Sequence, residues 1–138
     1  MAVTATPIFQ QSVGWAGTAY TTASSTATHV TGGANGTRVS SLTAHSNSTS
    51  AHVFIVGVST GGASFYVGAA SIPASAGSDG STPAVDLLSP TYIPGLPIDA
   101  NGVPYISLPS TLYSLTLTAS AAINTGKQVT FTSMYGSY

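Results

Sequence analysis

The side chains that could bind a metal or move a proton near neutral pH are few: His29, His45 and His52, with Asp79, Asp86 and Asp99. His45 and His52 flank the polar turn Ser46-Asn47-Ser48-Thr49-Ser50, so they are expected to face each other across a short hairpin. Two imidazoles so placed could share an ion, but zinc sites take three or four protein ligands and the spacing supplies no third. No metal site is expected, and the pair reads as ordinary hairpin polar residues. The three aspartates lack the dense D-x-D-x-D spacing of a calcium loop. Ser, His and Asp all occur, yet no G-x-S-x-G elbow leads into a helix. Glycoside hydrolysis needs two carboxylates across a cleft, and the chain has no glutamate. The glycine loops GGANG (32–36) and STGGAS (59–64) lead into strands rather than helix N-termini, so they are not phosphate cradles. Catalytic residues and cofactors are therefore expected to be none. The sequons Asn35-Gly36-Thr37 and Asn47-Ser48-Thr49 read as chance matches in a threonine-rich chain.

Composition narrows the partners. Charged residues make up 4% of the 138 positions, against about 25% in ordinary soluble proteins. Arg38 and Lys127 are the whole basic complement, too little to neutralise a run of phosphates, so no nucleic-acid partner is expected. No apolar run approaches the roughly 20 residues of a membrane span, so no membrane partner is expected either. The N-terminus lacks the positive and continuous apolar regions of a secretory signal, and with Met1 at its start the chain is expected to be a cytosolic product used without processing. With no cysteine, disulfides and thiolate chemistry are excluded. Serine and threonine fill roughly 30% of the chain, so its polar surface is mostly hydroxyl. Such a surface gives little like-charge repulsion between copies and favours close association.

The elements that must carry these residues read as strands. Residues 1–19 are expected to form an extended arm, broken by Pro7, with Ile8, Phe9, Val13 and Trp15 as apolar anchors. Those anchors must cover either the domain's own core or a neighbouring subunit, because exposing them is costly. Residues 20–138 are expected to form one sandwich domain. Residues 20–31 read as a strand, and 37–72 as an antiparallel meander punctuated by the 46–50 turn and Gly61-Gly62. Residues 84–98 carry a short apolar run and three prolines, which marks an edge strand or crossing segment. Strands follow at 103–108, at 113–118 and at 128–135, where Val129, Phe131 and Ser133 share a face. About eight strands and no helix point to an all-β fold, an antiparallel two-sheet sandwich, most readily a jelly roll. Tyr92, Tyr105, Tyr135 and Tyr138 could stack on sugars, but tyrosines more often fill a core or a half-buried interface.

Four stretches, TPIF, TGGANGTRV, SIPASAGSDGSTPAVDLL and above all YIPGLPIDANGVPYISLP, resemble a family of small tailed-bacteriophage virion proteins. Its members are head decoration (cement) proteins or related minor structural proteins, and the resemblance runs from about Thr6 to Tyr138. It implies a β-sandwich subunit that forms a homotrimer on the capsid exterior and clamps neighbouring subunits of the major capsid protein. It carries over no catalytic residue. The interface candidates are Ile8, Phe9, Val13, Trp15, Tyr92, Tyr105 and Tyr138. The stretch LPSTLYSL (108–115) departs from the acidic or glycine turn usual before a strand in such proteins. A receptor- or glycan-binding module of a fibre or tail, or a neck or tail connector subunit, is the alternative reading.

Overall fold

A computed structural model describes residues 10–21 and 26–138. Those residues are all-β, with ten strand segments and no helix: β1 (Ser12–Tyr20), β2 (Thr26–Thr31), β3 (Thr37–Val39), β4 (Thr43–Ser46), β5 (His52–Ser59), β6 (Ser64–Ile72), β7 (Val85–Asp86), β8 (Ile106–Leu108), β9 (Ser114–Ala119) and β10 (Val129–Ser137). Frequent glycine, proline and β-branched residues rule out helices over any long window and suit pleated, half-buried strands.

The strands form two antiparallel sheets packed as a sandwich. In the larger sheet β10 is the spine: β1 runs along one side of it, and β4 and then β3 occupy the other. β7 and β8 pair outside β4 and β3. The smaller sheet has the order β2-β9-β5-β6. β3 and β4 act as one strand position interrupted at residues 40–42. There the Ser40 amide donates to the Met134 carbonyl at 2.9 Å and the Met134 amide to Ser41 Oγ at 2.9 Å. A serine hydroxyl thus replaces one ladder acceptor while fully buried Leu42 enters the core.

Three rings knit the layers. Phe54 of the smaller sheet meets Phe131 and Tyr20 of the larger one edge-on, with centroids 4.7 and 4.9 Å away. The Tyr20 hydroxyl donates to the Leu117 carbonyl across the sandwich, and burial pushes its pKa up. Val129, Phe131 and Ser133 line one buried face, as the alternation at 128–135 requires.

Three sequence expectations need correction. Residues 12–19 are not an arm: they form β1, paired with β10 from Ser12↔Ser137 to Tyr20↔Val129. The expected strand at 20–31 is two elements, since Tyr20 ends β1 in one sheet and Thr26 starts β2 in the other. The meander over 37–72 is only a hairpin, β5 with β6, because β3 and β4 belong to the opposite sheet. Short turns suggested sequential pairing, but the buried faces are satisfied better by chain segments that cross between layers.

Candidate interaction surface

β1 positions the largest exposed apolar groups of the larger sheet. Its side chains alternate: Gly14, Ala16, Thr18 and Tyr20 turn inward, and Val13, Trp15, Gly17 and Ala19 outward. Val13 is 68% and Trp15 70% exposed, and Met134, directly opposite Trp15 on β10, is partly exposed beside them. Among the described residues β1 pairs on one side only. Burying a large apolar side chain contributes about 1.5–3 kcal/mol, which this face forgoes while it lies in water. The inner face, in contrast, is anchored. β2 bulges between Thr28 and Val30, so His29 and Val30 both turn inward. His29 Nδ1 then lies 2.8 Å from Thr18 Oγ1 of β1, and Nε2 lies 2.8 Å from Ser133 Oγ of β10. This contact clasps the two sheets at their open side, and burial pushes the imidazole pKa down to about 4.

Of the other interface candidates, Ile8 and Phe9 lie outside the described residues. Tyr92, Tyr105 and Tyr138 are half-buried and serve the body of the domain. The Tyr92 carbonyl sits 2.2 Å from where a Cβ on Gly68 would be, so only glycine fits β6 there. Arg38 lies over the Tyr105 ring at 4.3 Å and pairs with Asp99 at 2.5 Å. That pair ties the 97–105 hairpin to β3. Tyr138 donates its amide to the Gly36 carbonyl at 3.1 Å. Tyr66, absent from the sequence-based candidates, is 74% exposed, and its neighbour Phe65 is exposed as well. Strict alternation would bury one of two adjacent aromatics. Phe65 and Tyr66 pair regularly with Val58 and Gly57 near the end of the β5–β6 hairpin, so they do point to opposite faces, and there both faces lie in solvent.

His29, His52 and the three aspartates are engaged in structural hydrogen bonds. His45 and His52 do not face each other: His45 is opposite Thr130 in the larger sheet and His52 opposite Ile72 in the smaller. Two Ser–His contacts occur among the described residues, Ser48–His52 and Ser133–His29, each at 2.8 Å, and both serines are fully buried. No substrate carbonyl can reach their oxygens. Each aspartate caps a turn. Asp79 accepts from the Ser81 and Thr82 amides, which hold its carboxyl at a pKa of about 2. Asp86 accepts from Leu88, and Asp99 from Asn101 and Val103. The Arg38 guanidinium, with those two amides, keeps the Asp99 carboxyl below its usual range. An apolar pocket of about 290 Å³ lies beside Tyr105, between Val58 and Val67 of the smaller sheet and the Ile93–Pro97 loop. Its walls carry no charged group.

No protein-family model and no curated protein matches the sequence. Two solved structures align with the chain. A chain in the acid-stable capsid structure of Helicobacter pylori bacteriophage KHP30 aligns with a TM-score of 0.57 at 11% identity, covering 93% of this chain and 90% of that one. A chain of the cyanophage Pam1 capsid asymmetric unit aligns with a TM-score of 0.46 at 12% identity, over 99% and 94%. The protein thus has the fold of a chain found in a phage capsid structure, at a sequence distance where fold alone is shared.

Proposed function

We propose that this chain is a non-enzymatic structural protein of a bacteriophage virion, a decoration (cement) protein on the outer surface of the head. It binds the major capsid protein, self-associates (as a homotrimer, by the family resemblance), and stabilises contacts between capsid subunits. The single observation that carries this reading is the whole-chain fold match to a chain of the KHP30 capsid structure. Two features support it. A surface of hydroxyls costs far less to desolvate than one of Lys and Glu, which suits a protein that acts by being buried. Counting β3/β4 and β7/β8 as interrupted strands gives four positions per sheet, in the orders β1-β10-β3/4-β7/8 and β2-β9-β5-β6. We read that wiring as a jelly roll, an architecture used in capsid domains. The mechanism needs no chemistry: each contact adds modest binding free energy, and repetition over a symmetric shell multiplies it.

The test is co-sedimentation of the purified protein with heads lacking it. Saturable binding that raises the temperature at which heads release DNA is the expected result; unbound protein and unprotected heads would reject the role. Deletion of residues 2–9 isolates the contribution of Ile8 and Phe9. The deletion must stop there, because residues from Ser12 onward belong to β1.

A further inference from the structure

We propose that β1 is a homotypic docking strand: two copies of this chain pair antiparallel along it, in a register centred on Ala16. Exposed sheet edges are templates for another strand, and folded proteins blunt them with charge, proline, bulges or brevity. β1 has none of these devices. It is nine residues long, pairs with β10 without a register shift, and contains no charged residue and no proline. A second copy of so uncharged an edge meets no like-charge repulsion.

The sequence of the strand also fits itself. With Ala16 opposite Ala16 of the partner, all nine residues pair. On the outer face Trp15 then lies opposite Gly17 and Val13 opposite Ala19, each large group against a small one. On the inner face Gly14 meets Thr18, and Ser12 meets Tyr20. The register follows from strand geometry, in which directly opposite residues share a face. A slip by two places leaves strand residues unpaired. The contact is isologous and closes at two copies. It is compatible with trimers held by other faces, in which case the assembly contains an even number of copies. It is independent of the virion role, since it is read on the isolated protein.

The test uses the full chain, whose lack of cysteine makes thiol placement clean. Val13→Cys and Ala19→Cys variants are prepared separately, mixed, and treated with a short bis-maleimide. The proposal expects cross-linked dimers from the mixture and little from either variant alone. Equal cross-linking within Val13→Cys alone, or none in the mixture, overturns the register. Sedimentation of the wild type as a monomer, or as an odd-numbered species, overturns the pairing. Gly17→Lys supplies the second arm. A Cβ at Gly17 would meet only the Phe131 carbonyl oxygen, at 3.9 Å, so the folded subunit accepts a side chain there. Because the change occurs twice per contact, it should weaken self-association by about tenfold or more with the circular dichroism unchanged. Unaltered self-association would overturn the proposal.

Discussion

The two ends of the larger sheet are finished in opposite ways. On the far side, β7 and β8 are two and three residues long, Asp86 projects from one, and the proline-rich 93–98 stretch and the 97–105 hairpin flank the other. Arg38, Asp99 and Tyr105 fasten that hairpin down. On the near side, β1 runs for nine residues with no charge and with Val13 and Trp15 in solvent. Short strands, charge and proline are the usual defences against unwanted strand pairing. One edge has them all and the other has none. The contrast teaches that the exposed apolar edge is not a general property of this uncharged chain, since the same polypeptide closes its opposite edge.

The contrast can be broken at its foundation first. Phe131→Ala removes the ring on which β1, through Tyr20, and the smaller sheet, through Phe54, both pack. It should destabilise the subunit by about 3–5 kcal/mol in urea unfolding. A loss below about 1 kcal/mol would mean that the rings do not anchor the sheets.

The clasp behind β1 is tested by pH. The folded state holds His29 neutral down to about pH 4, whereas the unfolded chain protonates it near 6.5. The stabilisation is therefore complete above about pH 6.5 and is lost as pH falls towards 4, in total about 2–3 kcal/mol. Asp79, held at about 2, adds its own loss only below the ordinary carboxylate range. Urea midpoints from pH 7 to 4 should slope for the wild type and flatten for His29→Gln. Parallel slopes would remove His29 from the explanation.

The guarded edge gives a smaller effect. Arg38→Met removes the stack on Tyr105 and the ion pair to the hairpin; the stack alone is worth about 0.5–1 kcal/mol. Limited proteolysis should then cut near Asn101-Gly102, at the tip of the hairpin, faster than in the wild type. The smallest effect on stability belongs to Trp15. In dilute solution, where copies are apart, Trp15→Ser should shift unfolding by no more than about 0.5 kcal/mol. A large shift would mean that the indole serves its own subunit.

Much of the fold was legible because burial leaves a simple trace. Val129, Phe131 and Ser133 announce β10 by alternation, and the three prolines of 84–98 announce an edge. What was not legible is where strands cross between layers. Nothing local in 37–52 distinguishes a hairpin from a crossover, so His45 and His52 were expected to face each other although they lie in different sheets. β1 escaped detection because Gly14, Gly17 and two alanines carry little β-propensity; its strand state comes from the long ladder with β10. Trp15 and Val13 were identifiable as anchors, but their outward aim depends on register. Phe65 and Tyr66 alternate as ordinary strand residues, and no local pattern tells that both faces of the hairpin end lie in solvent.

The most direct test of the structural role is the copy number of this chain in purified virions, measured by quantitative mass spectrometry against the major capsid protein. A decoration protein must be present in many copies, in fixed proportion to the shell subunits and lost or retained with the heads. A chain found in one or a few copies per particle, or absent from washed particles, would contradict it.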